Sequence, residues 1–201
     1  MMQKSEKYVL SLESLVDISI LLNSELDYSK VIQSAILTCM GQVTAKYGLV
    51  YIKKPLQDFF GLAFSKGIEA VETGISSNRA ILEEDPFIRF IYDNKEPFHY
   101  QTGQNETIET FQPSIVIPMF AKNRLVGIMI LGDKYFGSYD EEDLKFLKLF
   151  SNITANAIEN SLLYALATRD TKTGLYLHHY FMTRLKEETY KASRYQDPLS
   201  L

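Results

Sequence analysis

Ser114-Ile115-Val116-Ile117-Pro118-Met119-Phe120, then Lys122-Asn123-Arg124, then Leu125-Val126-Gly127-Ile128-Met129-Ile130-Leu131 is the stretch that decides the fold. Two apolar, β-branched runs joined by a short polar turn read as an antiparallel pair of strands. Pro118 has no N–H for a ladder, so its strand is expected at a sheet edge or with a bulge there. After Ser138-Tyr139-Asp140-Glu141-Glu142 the period changes. Leu144, Leu147, Phe150, Ile153, Ala157, Ile158, Leu162 and Ala165 recur at helical spacing and predict one long helix over about 141–168. Acidic residues in its first turn suit the positive end of the helix dipole.

Working upstream, residues 5–23 are helical by period, with Leu12, Leu15, Ile18 and Leu22 on one face. A second amphipathic helix is expected after Asp27 as N-cap. It carries Val31, Ile32, Ala35, Ile36, Cys39 and Met40 to a break at Gly41 or shortly beyond. Tyr47-Gly48-Leu49-Val50-Tyr51-Ile52 and Phe59-Phe60-Gly61-Leu62-Ala63-Phe64 are short apolar runs that form a hairpin signal. Residues 66–80 read as a loop. Pro86 at a first helical position, behind Glu83-Glu84-Asp85, opens a short helix with Phe87, Ile88, Phe90 and Ile91. Phe98-His99-Tyr100 is a further strand. The order predicts an α+β domain with one antiparallel sheet and helices packed against it.

Bulk properties exclude several functions. At 201 residues, 46% of them hydrophobic, the chain suits one ordinary domain with an appendage. A net charge of -4 speaks against nucleic acid as a partner, which calls for a basic patch or stripe. No apolar run approaches the ~18 residues of a membrane span, and Met1 to Lys7 lacks the pattern of a secretory signal. The single cysteine, Cys39, offers no disulfide framework. A cytoplasmic protein with no membrane partner is expected.

Catalytic constellations are poor. No Gly-x-Ser-x-Gly elbow, Walker loop or HExxH is present, and His99, His178 and His179 form no ligand cluster. Adjacent histidines point in different directions on a helix or a strand. Neither catalytic nor metal-binding residues are expected.

The strand pair at 114–131, the acidic turn, the long helix and the helical entry before the first hairpin together resemble a GAF domain over roughly residues 10–165. The resemblance implies a central sheet of about five to six strands. The N- and C-terminal helices would pack on one face and a ligand pocket would lie on the other. Asp133-Lys134-Tyr135-Phe136-Gly137-Ser138-Tyr139-Asp140-Glu141 is similar to the N-K-x-F-x-x-x-D-E pattern of cyclic-nucleotide-binding members, with Asp133 where asparagine is usual. Lys134, Phe136, Asp140 and Glu141 match it, and Lys134 can reach back to Asp140 to pin the strand-to-helix connection. The implied ligand is a regulatory cyclic nucleotide, cAMP favoured over cGMP, with no covalent cofactor.

That ligand would lie under the segments crossing the sheet. Phe64, Phe87, Tyr100 and Phe111 offer flat surfaces for a purine. The amides of Phe87 and Ile88, at a helix start, offer donors to a phosphate. Arg79 is a second phosphate partner, and Thr107 and Thr110 fall where the family often makes base and ribose contacts. A bilin is disfavoured because Cys39 lies in a helix outside the pocket segments.

Arg169-Asp170-Thr171-Lys172-Thr173-Gly174-Leu175-Tyr176-Leu177-His178-His179-Tyr180-Phe181 resembles the opening of a GGDEF domain, R-D-x-L-T-G-L-x-N-R-x-x-F, the catalytic domain of diguanylate cyclases. Lys172 and Leu177-His178 depart from it. The implied organisation is a GAF sensor domain over 1–168 and an incomplete GGDEF start over 169–201. The signature loop and the metal-binding aspartate are absent from these residues, so they are not expected to make cyclic di-GMP themselves. Apolar stripes on the first and the long helix, wider than one partner needs, suggest a homodimer through those helices. Strict heptads do not persist, so a long coiled coil is not expected. The alternative to a ligand sensor is a ligand-free dimerisation and relay module, whose sign would be a pocket filled by Phe64, Phe87 and Phe111 themselves.

Overall fold

The computed structural model describes residues 14–54, 57–68, 80–170 and 173–200. Part of the expected first helix and Arg79 therefore lie outside the described residues. Helix α1 (14–24) is followed by α2, Tyr28–Val43, which starts where Asp27 caps it by accepting from the amides of Ser29 and Lys30. It ends one residue before Thr44, which takes the left-handed conformation. Then come β1 (Gly48–Lys53), β2 (Phe59–Lys66), β3 (Ile81–Leu82), α3 (Pro86–Asn94), β4 (Phe98–His99), α4 (Glu106–Glu109), β5 (Ile115–Ala121), β6 (Arg124–Leu131), α5 (Glu141–Thr168) and α6 (His178–Tyr195).

The strands form one six-stranded sheet in the order β3-β2-β1-β6-β5-β4. Every neighbouring pair is antiparallel. Lys122 and Asn123 both have positive φ, 48° and 66°, which is what a two-residue turn matching strand twist needs. Pro118 sits where the outer edge of β5 has lost its neighbour, since β4 pairs only with Ile115 and Val116. A register shift follows between Met119 and Phe120. The strand is thus internal by order and an edge in practice at the proline.

Alternation sorts the side chains. Leu49 and Tyr51 of β1, Val116 of β5, and Ile128 and Ile130 of β6 point to one face, where they meet Phe87, Ile88 and Ile91 of α3 and Ile108 of α4. Val50, Ile52, Ile117, Met119 and Met129 point the other way and are equally buried. On that side α2 buries Val31, Ile32, Ala35, Ile36, Cys39 and Val43. It comes so close that a Cβ on Gly48 would stand 2.6 Å from Ile36 Cδ1. Leu147, Phe150, Ala157 and Ile158 of α5 are buried too, and none belongs to the α3-side cluster. Full burial of each such aliphatic or aromatic side chain contributes ~1.5–3 kcal/mol as an upper estimate.

Packing divides the chain into Met1–Ser161 and Leu162–Leu201, with the boundary inside α5 and earlier than the sequence boundary after residue 168. In the second unit, Asp170 accepts from the amide and hydroxyl of Thr173, both at 2.8 Å. Arg169 lies over the Tyr176 ring at 4.4 Å and donates to its hydroxyl. Among the described residues of the motif that resembles a GGDEF opening, the Leu177 amide also donates to the Thr168 carbonyl at 2.8 Å and the Tyr180 hydroxyl meets that of Tyr164 at 2.9 Å, tying it to the end of α5. Helix α6 buries no side chain. Among the described residues no helix is long and apolar enough to cross a membrane.

Candidate functional site

The face crossed by α3 and α4 is where a ligand was expected, and it is built around two helix caps. Asp85 precedes Pro86. Its Oδ1 accepts the Phe87 amide at 2.8 Å, and its carbonyl accepts the Ile88 amide at 2.9 Å. Asn105 does the same for α4, Oδ1 accepting from Thr107 and Ile108 at 3.0 and 3.2 Å. Short polar side chains belong at such positions because they satisfy amides the helix leaves open. The two caps are also joined to each other: Asn105 Nδ2 donates to Asp85 Oδ2 at 2.8 Å. The Tyr100 hydroxyl closes the group, accepting from the Asn105 amide at 3.0 Å and donating to the Asn105 carbonyl at 3.1 Å. Asn105 is 6% exposed, and burial pushes the Tyr100 phenol up. A buried amide with this many partners specifies one arrangement, because each lost partner leaves a polar group dry.

A second clasp holds the exit of α4. The Tyr47 hydroxyl donates to the Gln112 carbonyl at 2.8 Å and also meets the Phe111 carbonyl. Burial, then the neighbouring Asp133 charge, raises this phenol well above its ordinary range. The Tyr47 ring lies against Gly132 so closely that a Cβ there would stand 2.0 Å from Cε1. Tyr139 donates to the Gly132 carbonyl at 2.7 Å from the other side.

The ligand candidates fall out as follows. Phe87 (2% exposed), Ile88 and Phe111 (5% exposed) are core residues of the α3-side cluster. The Phe87 ring makes edge contacts with Phe98 and Tyr100. The amides expected to hold a phosphate are both taken by Asp85, that of Phe87 by its carboxylate and that of Ile88 by its backbone carbonyl. Phe64 is half-buried on β2, facing away from that cluster's membership. Thr107 is half-buried with its amide given to Asn105, and Thr110 is exposed and donates to the Thr107 carbonyl at 3.4 Å. A cleft of about 250 Å³ among the described residues lies beside α2, lined by Tyr28, Ile32, Ile52, Lys54, Gln57 and Phe59. It is below the ~300–1,000 Å³ of ordinary small-molecule sites.

The strand-to-helix connection differs from expectation in its ion pair. Lys134 makes an ion pair at 2.6 Å with Asp143, inside the first turn of α5, where Asp140 was the expected partner. The reason is reciprocal capping: Asp143 accepts the Asp140 amide at 3.0 Å while Asp140 Oδ1 accepts the Asp143 amide at 2.8 Å. The carboxylate facing the lysine is therefore the later one. Phe136 is 82% exposed, at the tip of the loop, and Glu141 is an exposed first-turn acid. Ser114 donates to Asp133 at 2.6 Å, tying the loop to the start of β5.

Sequence reasoning missed Asn105, Tyr47 and Asp143. Asn105 before Glu106-Thr107 is a cap signal that could have been found. Its bond to Asp85 joins residues far apart in the chain, and no local pattern announces it.

A protein-family model described as a GAF domain matches residues 46–160. Diguanylate cyclase A of Treponema denticola is 28% identical over 196 residues, covering 92% of this chain and 52% of that protein. The chain thus spans about half the length of the curated relative it matches, and the match runs past the sheet domain into the unit that begins at Leu162. Among solved structures, a GAF domain/HD domain protein from Geobacter sulfurreducens superposes with a TM-score of 0.59 at 12% identity, over 71% of this chain and 98% of that one. The GAF domain of an Acinetobacter phosphoenolpyruvate-protein phosphotransferase gives 0.59 at 12% identity, over 81% and 98%. Free methionine-R-sulfoxide reductase from Neisseria meningitidis gives 0.58 at 17%, over 77% and 92%. Identities this low carry the fold alone. With the six-stranded sheet, its flanking helices and a family model matching more than half of its length, the chain belongs to the GAF domain family.

Proposed function

We propose that this chain is the regulatory GAF module of a cytoplasmic diguanylate cyclase, acting as a homodimeric relay that sets how two catalytic domains face each other. The observation that carries this reading is α5. It is one unbroken helix from Glu141 to Thr168, leaving the sheet domain and entering the unit that carries the Arg169–Phe181 motif. A helix of that length is a rod of ~40 Å, able to pass a rotation or shift from the sheet to its far end. The relative named a diguanylate cyclase matches through that same junction. Cyclases of this kind need two catalytic domains, each bringing one GTP, so the output of a relay is the pairing geometry itself.

A sensor for a cyclic nucleotide, cAMP before cGMP, is the second reading. The match of Lys134, Phe136, Asp140 and Glu141 favours it. Against it stand the core positions of Phe87 and Phe111 and the Asp85 carboxylate at the start of α3, where a ligand phosphate would have to sit. Under this reading α3 and α4 must part before anything enters.

The relay is tested in the full-length protein by lengthening α5 after Asn160. One inserted alanine turns the helix by ~100° and seven restore its phase to within ~20°. Loss or inversion of cyclic di-GMP synthesis with one residue, and retention with seven, is the expected result. Equal activity for both insertions would overturn it.

A further inference from the structure

The cleft between the first turns of α2 and strand β2 has polar groups left over. Its volume is about 250 Å³, and its lining residues all belong to the unit that ends at Ser161. The apolar wall is Ile32 and Ile52, both buried, with the half-buried ring of Phe59. The polar wall is Tyr28, Ser29, Lys54 and Gln57, whose side chains have no hydrogen-bond or ion-pair partner among the described residues. Ser29 and Lys54 are exposed and met by water, but Tyr28 and Gln57 are half-buried. Gly61 also lines the cleft, beside Ile52, its partner across the sheet. A glycine inside a strand weakens it and often marks a close approach by a ligand or another backbone. Neither conformation nor packing asks for one here. Its φ is not in the left-handed region, and the extra residue of the β1–β2 bulge is Ala63. Among the described residues a Cβ at 61 would meet only the Phe59 ring, at 3.6 Å. At Gly48 and Gly127, by contrast, a Cβ would stand 2.6 Å from Ile36 Cδ1 and from the Tyr51 carbonyl oxygen. What the missing side chain provides at 61 is room in the cleft.

We propose that this cleft, on the opposite face of the sheet from α3 and α4, is a binding site for a small monocarboxylate with a flat apolar body. Volume sets the size. A closed cavity of ~150 Å³ takes benzene, so about 250 Å³ takes one ring with a short acidic arm. The ring lies against Phe59, Ile32 and Ile52, where contact between aromatic rings adds to apolar burial. Charge sets the head group. Lys54 is the one charged side chain in the lining, so it balances a single negative charge. Tyr28, Ser29 and Gln57 carry donors for the same carboxylate. A phosphate fits poorly, because the α2 amides of Ser29 and Lys30 are already given to Asp27. The Asp27 carboxylate, 2.9 Å from the Ser29 amide, also repels a second negative charge. The site does not depend on the relay, and its failure leaves that reading untouched.

The test is an amide-resolved NMR titration of the 201-residue chain with phenylacetate, and with phenylacetamide as its neutral counterpart. Ligands this small bind at about 1 mM. Saturable shifts at Ser29, Gln57, Gly61 and Ala63, several-fold tighter for the acid than for the amide, are the expected result. Lys54→Gln should weaken phenylacetate about fivefold and leave phenylacetamide unchanged. Gly61→Val should fill the cleft and abolish both titrations while melting no lower than the parent chain. Gly61→Ala adds a single methyl at ordinary contact distance and should weaken both titrations, which keeps the test open if valine disturbs the strand. The absence of saturable shifts, or shifts centred on Phe87 and Phe111, would overturn the site. So would binding that both Gly61 variants leave intact. Equal affinity for acid and amide would overturn the carboxylate assignment.

Discussion

The α3–α4 side of the sheet and the outer face of α5 are opposites. On the first, helix-start donors, aromatic rings and buried amides have partners within the chain: Asp85 caps α3, Asn105 caps α4, and the two caps bond to each other. On the second, between Leu149 and Thr168, leucines and asparagines stand in solvent, and the one charged residue of that stretch, Glu159, is buried. A surface that has satisfied its own chemistry resists a newcomer, because entry must first break bonds in a dry place. A neutral, half-apolar surface gains by being covered. The contrast is what favours the proposed relay over a ligand held beneath α3 and α4.

The largest test breaks the closed side. Asn105→Ala removes the α4 cap and leaves the Asp85 carboxylate without its amide partner, and should cost about 2–4 kcal/mol in urea unfolding. Hydrogen exchange should rise in α3 as well as α4. Exchange confined to α4 would mean that the caps are not coupled.

A smaller effect is expected from Tyr47→Phe, which removes the hydroxyl bonded to the Phe111 and Gln112 carbonyls and should cost about 1–2 kcal/mol. It also has a pH signature. The folded protein holds the Tyr47 and Tyr139 phenols protonated above their ordinary range, so the native state binds more protons than the unfolded chain once pH passes ~10. Stability is therefore fully present below pH ~10 and falls as pH rises beyond it. Tyr47→Phe should flatten that alkaline decline, and an unchanged slope would count against the clasp. Least of all, Phe136→Ser should change stability by no more than ~0.5 kcal/mol, since the ring stands in solvent. A larger loss would give the loop motif a packing role it lacks here.

How much of this was legible depends on how local each cause is. Asp27 as a cap, Pro86 as a first helical residue and the whole span of α5 follow from neighbours in sequence, and all three stand where periodicity put them. The strand pair around Lys122-Asn123 was equally plain, its turn chemistry and apolar runs agreeing. β3, two residues long, and α4, four residues long, are too short to show a period; the sheet edge and Asn105 make them. Among the candidate ligand residues the sequence could say that Phe87 and Phe111 were aromatic and near the crossing segments. Whether such rings line a cavity or fill it depends on how far α3 comes down onto Tyr51 and Ile128, a tertiary distance. The choice of Asp143 over Asp140 for Lys134 turned on a single helical turn of reach.

The account's central claim is that this domain relays without a cyclic nucleotide held beneath α3 and α4. Titration calorimetry of the chain against cAMP and cGMP tests it most directly, with a thermal-shift measurement alongside. The account predicts no saturable heat and no shift with either. Saturable binding of cAMP or cGMP that weakens on Phe111→Ala would contradict it and return the function to the pocket.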